Sequence, residues 1–371
     1  MSSPRPLDSS RRPLGSRRAL ALALAAGAAL ALAAAPAAGA SRTLTLEGWH
    51  DRALAFSGDR LVWTEAATVR VDPRRIAGSP AGARRFDYYR AETFQARLDR
   101  RSRRFAGPAE APVAVRTSIA RMGSGSLTPT GDGGFVTVPR SLRFAAPVIW
   151  CCDRDGIESV IASDGREGAP LALAGFASDG TVTYLTLSAG VLSASAAAAA
   201  DPGGTRRVLG TLGAAAPGLV AADGGVAAWV DPAAPTTLRL AAVGPAGIGP
   251  LAPVPLPGPA IRLWVSGPKL TAVAVRARAG VQVLRVDAVR SSARRVWSGR
   301  SLPRVAVGGG TIAIADGRRV LASRGSRPAR RVSTVRRRVD AVGVDGRRIA
   351  WVERGRRKGA RVGVVRIGRL R

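Results

Sequence analysis

A β-propeller of seven four-stranded blades, with six as the alternative count, is the all-β fold that three features of this 371-residue sequence predict. A phrase of apolar strand, glycine turn and apolar strand recurs along the chain. Its turn glycines, at 180, 224, 267, 309 and 346, stand 44, 43, 42 and 37 residues apart. Helix signals are scarce, and 44 Gly with 25 Pro would break long helices. A period near 40 built from short strands and hairpin turns is the mark of a propeller, each repeat supplying one blade.

The phrase reads Ala222-Asp223-Gly224-Gly225-Val226-Ala227-Ala228-Trp229-Val230 in mid-chain and Val344-Asp345-Gly346-Arg347-Arg348-Ile349-Ala350-Trp351-Val352 near the end. An early copy is Ser57-Gly58-Asp59-Arg60-Leu61-Val62-Trp63. Weaker copies begin at Ser178, Ser266 and Gly308. Asp-Gly between apolar strands makes a tight hairpin because glycine tolerates positive φ. The Trp, Tyr or Ile that follows is expected to pack between neighbouring blades. Blade starts near 53, 130, 175, 219, 262, 304 and 340 accommodate seven blades. The last repeat holds strands near 340–344, 348–353 and 361–367, one short of a blade. The alternating Thr43-Leu44-Thr45-Leu46-Glu47 is expected to complete it, closing the ring and removing its edges. The alanine tract Ala194 to Ala200, before Asp201-Pro202-Gly203-Gly204, reads as a loop. Residues 73–128 repeat only weakly. Within them Arg84 to Arg104, with eight Arg and Tyr88-Tyr89, reads as an insertion or a divergent blade.

With this strand–turn–strand phrase on the page, the chain resembles the WD-like propeller repeats of the TolB class. Asp345-Gly346-Arg347-Arg348-Ile349-Ala350-Trp351 carries the resemblance, and Asp223-Gly224 through Trp229 supports it. It covers residues 175–370 and, as an isolated copy, residues 53–72. The resemblance implies a propeller fold and a habit of binding, and names no partner.

The first forty residues read as an export signal. Arg5, Arg11, Arg12, Arg17 and Arg18 precede an apolar run from Ala19 to Ala35, and Ala38-Gly39-Ala40 offers small residues for cleavage. The alternative is an uncleaved anchor, for which 17 Ala-rich residues are marginal. The Arg pairs leave the general and twin-arginine routes both open. The mature part, residues 41–371, is expected to be one propeller domain without a transmembrane segment, secreted or held in the cell envelope, and a monomer.

Composition excludes several classes. An apolar content of 46% is too high for a disordered chain, two Cys make no multi-disulfide scaffold, and one His makes no His-rich metal site. Charge is lopsided. Residues 141–260 carry 6 basic against 9 acidic residues, whereas residues 261–371 carry 29 against 5, a net +24. Two accounts of this excess stand side by side. GC-rich coding favours Arg over Lys throughout, but it does not explain the asymmetry. A field of this strength in one sector draws polyanions: wall polymers, anionic headgroups or released nucleic acid.

The residues singled out for that role lie on turns and hairpins: Arg318, Arg319, Arg336, Arg337, Arg338, Arg347, Arg348, Arg356, Arg357 and Lys358. No catalytic, cofactor or metal residue is assigned. His50 has no Gly-x-Ser-x-Gly elbow to serve, and Cys151-Cys152 read as buried thiols or a strained vicinal disulfide. Asp153-Arg154-Asp155-Gly156 has two alternate carboxylates but no closing Glu for a calcium loop, and reads as a turn. Gly308-Gly309-Gly310 lacks the Lys and helix of a phosphate loop. The expected function is that of an exported, non-catalytic propeller that binds a protein or an anionic envelope polymer. The alternative is a polysaccharide hydrolase or lyase, which would need an Asp and Glu cluster at the channel mouth. No recognition helix or stacking motif points to a specific nucleic acid.

Overall fold

The computed structural model describes residues 43–47, 51–57, 60–71, 86–98, 122–129, 135–141, 148–151, 159–162, 169–176, 181–198, 206–268, 270–357 and 360–370. Among these the only regular elements are strands and one 3₁₀ turn at Pro217–Leu219, and the strands form seven antiparallel sheets. β1 (Thr43–Glu47) stands apart in sequence from the sheet that it joins. The first sheet is β2 (Asp51–Ser57), β3 (Arg60–Val71) and β4 (Phe86–Arg97). The second is β5 (Met122–Pro129), β6 (Phe135–Ser141), β7 (Val148–Cys151) and β8 (Ser159–Ala162). The third is β9 (Ala169–Phe176), β10 (Thr181–Ser188), β11 (Val191–Ala198) and β12 (Arg207–Ala214). The fourth is β13 (Val220–Asp223), β14 (Val226–Val230), β15 (Thr237–Gly244) and β16 (Gly247–Pro255). The fifth is β17 (Ala260–Val265), β18 (Thr271–Ala277), β19 (Gly280–Asp287) and β20 (Ser292–Gly299). The sixth is β21 (Arg304–Gly308), β22 (Thr311–Asp316), β23 (Arg319–Arg324) and β24 (Arg330–Thr334). The seventh is β25 (Val339–Asp345), β26 (Arg348–Arg357) and β27 (Ala360–Arg369), with β1 as its fourth strand.

β1 runs antiparallel to β27, with Thr43 opposite Arg366 and Glu47 opposite Val362. The first strands of successive sheets pack side by side: β2 on β5, β9 on β13, β13 on β17, β17 on β21, β21 on β25 and β25 on β2. The all-β propeller read from the repeats is therefore the fold of the chain.

The turn glycines of the repeat are the bends between first and second strands. Gly224, Gly267, Gly309 and Gly346 hold φ between +54° and +61°, the left-handed region that disfavours residues with a Cβ. Each turn also reaches the sheet before it. Gly225 N–H donates to Ala174 O (2.6 Å), Gly267 N–H to the Asp223 carboxylate (3.2 Å) and Gly346 N–H to Gly308 O (3.3 Å). The approach is so close that a Cβ on Gly224 would collide with Gly267 Cα, and one on Gly309 with the Gly346 backbone.

The cores lie between sheets. Trp229 joins Ala172, Leu185 and Leu192 of the third sheet, and Trp351 joins Ala313, Val320 and Ala322 of the sixth. Trp63, 1% exposed, packs with Ala341, Ala350, Val352 and Val365 of the seventh. Ile312 and Ile314 meet Leu270, Val283 and Trp297 of the fifth. Trp63, Trp229, Ile312, Ile314 and Trp351, the aromatic or branched residues after four of the turns, thus pack against the preceding sheet, as the repeat predicts.

Two expectations change. Ala194–Ala198 is not a loop but part of β11, paired throughout with β10 and as far as Ala196 with β12. Ala194, Ala196 and Ala197 are buried there, because small side chains let neighbouring sheets approach where Leu or Val would not fit. Phe86–Arg97, inside the segment read as an insertion or a divergent blade, is β4, the third strand of the first sheet, which agrees with the divergent-blade reading; it pairs with β3 along its whole length from Phe86 opposite Val71 to Arg97 opposite Arg60. The second sheet accordingly begins at Met122 rather than near 130.

A paired substitution separates backbone strain from collision. Gly317 has φ +60° with nothing within 4 Å of a Cβ, whereas Gly224 has φ +55° and the neighbouring turn against it. Gly317→Ala is expected to cost about 1 kcal/mol and Gly224→Ala about 3 kcal/mol or more, read from urea denaturation.

Candidate functional site

Antiparallel order places hairpins alternately at the two ends of a sheet. First-to-second and third-to-fourth turns lie at one end. Second-to-third turns and the connectors between sheets lie at the other. This parity divides the basic residues. Gly317-Arg318 is the β22–β23 turn, and Arg336, Arg337 and Arg338 lie in the β24–β25 connector, so all of these share the connector face. Arg319 and the backbones of Arg356 and Arg357 lie at the same end, next to the β22–β23 and β26–β27 turns. Arg347 and Arg348, by contrast, sit at the β25–β26 turn on the opposite face. Lys358 lies outside the described residues.

Backbone bonds knit the connector to its neighbours. Val335 N–H donates to Arg318 O (2.8 Å), Val339 N–H to Gly317 O (3.2 Å) and Arg354 N–H to Arg338 O (3.0 Å). Val335 and Val339, both buried, anchor the two ends of the connector. The residues between them, Arg336 to Arg338, are all exposed, as is Arg318.

Carboxylates in this sector are already occupied. Asp316 holds Arg319, Asp340 holds Arg354 at 2.7 Å, and on the other face Asp345 holds Arg348. Arg348 also stacks on the Phe56 ring, 5.0 Å from its centroid, which makes it a joint between the seventh and first sheets. Glu353, 6% exposed, accepts from Arg366 Nε at 2.7 Å and from Trp351 Nε1 at 3.1 Å. Among the described residues no carboxylate pairs with Arg318, Arg336, Arg337 or Arg338. Arg319 and Arg348 are thereby structural, while these four stand as uncompensated cations.

Sequence reasoning missed other members of the connector face. Arg278 sits in the β18–β19 turn and Arg300 in the β20–β21 connector, both exposed. Counting hairpins from each Asp-Gly turn would have found them and split the list by face. The opposite face has basic residues of its own, Arg324, Arg327 and Arg330 around the β23–β24 turn.

Two partly buried groups complete the electrostatics. Arg285 Nη2 donates to Gly310 O (2.8 Å), tying the fifth sheet to the sixth, and burial lowers the pKa of its guanidinium. Burial pushes the Asp223 carboxyl above its ordinary range, against the amides of Gly267 and Gly224, which pull it down. Among the described residues no three of His, Cys, Asp and Glu gather as a metal site. His50, Cys152, Asp153 and Asp155 lie outside the described residues. No helix among the described residues is long and apolar enough to cross a membrane.

The Asp223 shift has a sign. The folded state binds the proton more tightly than the unfolded chain, so this carboxyl's contribution to stability falls as pH rises through its raised pKa. Asp223→Asn keeps an acceptor for Gly267 N–H and removes the buried charge. It is expected to be more stable than the parent at neutral pH. That advantage should fade below the ordinary carboxylate range, as a pH series of urea titrations would read.

No family model and no curated protein sequence matches the chain. Solved structures do. A puromycin hydrolase mutant in complex with PGG aligns at TM-score 0.54 and 14% identity, over 83% of this chain and 50% of that one. This chain therefore spans about half the length of the hydrolase. The Swd1 β-propeller domain of Myceliophteria thermophila aligns at 0.52 and 11%, over 88% and 99%. An oligogalacturonate lyase in complex with manganese aligns at 0.50 and 9%, over 89% and 91%. Identities this low speak of fold alone, and the fold is that of a β-propeller.

Proposed function

We propose that the chain is an exported, non-catalytic propeller that binds an anionic polymer of the cell envelope through the arginines of its last three sheets. On this reading residues 1–40 are the export signal, residues 41–371 are one monomeric binding domain, and the protein works without cofactor outside the cytoplasm. The observation that carries it is the cluster Arg318, Arg336, Arg337 and Arg338, four exposed cations that no carboxylate compensates among the described residues. Neutral turn residues would serve the fold equally well there, since Val335 and Val339 do the anchoring. A protein with an acidic surface is the other partner that such a field would attract.

One observation favours an enzyme. The oligogalacturonate lyase is a structure of similar fold that this chain matches over nearly all of its length. A lyase or hydrolase reading predicts turnover of a polysaccharide and indifference to the charge of the Arg-rich sector.

The deciding measurement is binding of the purified protein to isolated cell wall and to a neutral glycan over a salt series. Affinity for the wall is expected to fall at least about tenfold between about 50 and 200 mM salt, with little binding to the glycan. Salt-independent binding, preference for the neutral glycan, or its cleavage would overturn the electrostatic reading.

A further inference from the structure

Resting on that reading, we infer that one face alone carries the site: Arg318, Arg336, Arg337 and Arg338, extended by Arg278 and Arg300, form a track on the connector face for a linear phosphodiester polymer. Three considerations select this face and this occupant. First, the β22–β23 turn and the β24–β25 connector are hydrogen-bonded through Val335 and Val339, so four guanidinium groups spring from one tied backbone platform. A preorganised platform loses less entropy on binding than independent loops would. Second, the arginine-bearing segments follow one another around the ring. The β18–β19 turn and β20–β21 connector of the fifth sheet lead to the β22–β23 turn and β24–β25 connector of the sixth. A succession of cations along an arc matches a chain with a charge on every link better than a compact ligand.

Third, the chemistry of the side chains fits phosphate. A guanidinium presents a planar fork to two oxygens, and a phosphodiester offers two non-bridging oxygens and a charge that persists at every physiological pH. Three consecutive arginines need a partner whose charges recur at short intervals, as they do in a phosphodiester chain. A nucleic acid would add base stacking, and the large hydrophobic side chains exposed among the described residues are all aliphatic. The occupant is accordingly a phosphodiester polymer of the envelope held by its charged backbone alone.

The test compares two charge-matched variants of the full chain, using long-chain inorganic polyphosphate and isolated phosphodiester wall polymer as probes. One variant is Arg318→Ser, Arg336→Ser, Arg337→Ser and Arg338→Ser together. The other is Arg324→Ser, Arg327→Ser, Arg330→Ser and Arg347→Ser on the opposite face. The connector-face variant is expected to lose about 100-fold in affinity and roughly 3 units of log–log salt slope, and the opposite-face variant less than about fivefold. Equal losses from both faces would overturn the face assignment and leave the polyanion reading standing. No loss from either, or no binding by the parent, would overturn both. Binding to polygalacturonate as tight as to polyphosphate would overturn the phosphodiester assignment. So would capture by anionic vesicles or single-stranded DNA in preference to the wall polymer.

Protection mapping on the unaltered protein needs no variant. Bound polyphosphate should shield Arg336, Arg337 and Arg338 from an arginine-modifying reagent and leave Arg347 reactive. The reverse pattern would overturn the assignment.

Discussion

Everything in this molecule depends on how closely one inner turn approaches the next. The first strand of each sheet packs against the first strands of its neighbours, so the turn that leads out of it has the least room. Here glycine backbone meets glycine backbone, with Gly224 against Gly267 and Gly309 against Gly346. The contact is also cohesive, because Gly225, Gly267 and Gly346 each donate an amide to the sheet before. A residue with a Cβ would be strained twice over, by positive φ and by collision. The same close approach brings Trp63, Trp229 and Trp351 into contact with the preceding sheets, where they fill the space that opens as the wedges diverge.

That constraint explains which parts of the fold were legible in the sequence. The glycine period is visible because the inner turns tolerate almost nothing else, and the tryptophan that follows is visible because it must span a gap. Outer strands face no such demand. β4 carries no such signature: it pairs with β3 along its length, and the residue it adds to the core between the first and seventh sheets, Ala96, is small and not distinctive in sequence. β11 reads as a loop for a different reason. Its alanines are buried by closely packed sheets, and a run of small residues carries no strand period and little β propensity. Burial, not intrinsic preference, makes it a strand.

The candidate site was legible in kind but not in arrangement. The excess of arginine is a property of composition, and hairpin turns mark where those side chains emerge. Counting hairpins assigns each turn to an end of its sheet, but a linear reading does not supply which arginines have carboxylate partners. Arg319 and Arg318 are neighbours in sequence, yet Asp316 holds one and the other is uncompensated. Arg348 looks as free as Arg336 until Asp345 and the Phe56 ring are placed beside it. The ion pairs follow a rule of local geometry. Asp316–Arg319 and Asp345–Arg348 each bridge a tight hairpin, directly opposite in the strand register, so the acid in each turn selects its own partner. The connector Arg336 to Arg338 contains no acid, and among the described residues none from elsewhere pairs with it.

The charge of the last three sheets is compatible with stability because it lies where water can screen it. Two like charges about 10 Å apart in water repel by about 0.4 kcal/mol, less at physiological salt. Fully burying one Leu or Ile side chain contributes about 1.5–3 kcal/mol, and this sector buries Leu270, Leu284, Ile312, Ile314 and Ile349 as well as Trp297 and Trp351. Packing therefore outweighs repulsion pair by pair, and the fold is not endangered by the exposed arginines that no carboxylate holds. Buried positions tell the same story from the other side. Where a cation does enter the interior, as Arg285 does, it is held by the backbone carbonyl of Gly310, and where a carboxylate does, as Glu353, Arg366 and the Trp351 indole satisfy it. Arg285 and Glu353 each meet a polar partner, whereas Arg318 and Arg336 to Arg338 on the connector face have no carboxylate partner among the described residues. An unmatched surface charge gains most from a partner that brings the opposite sign, so the same residues that contribute least to folding have the most to contribute to binding.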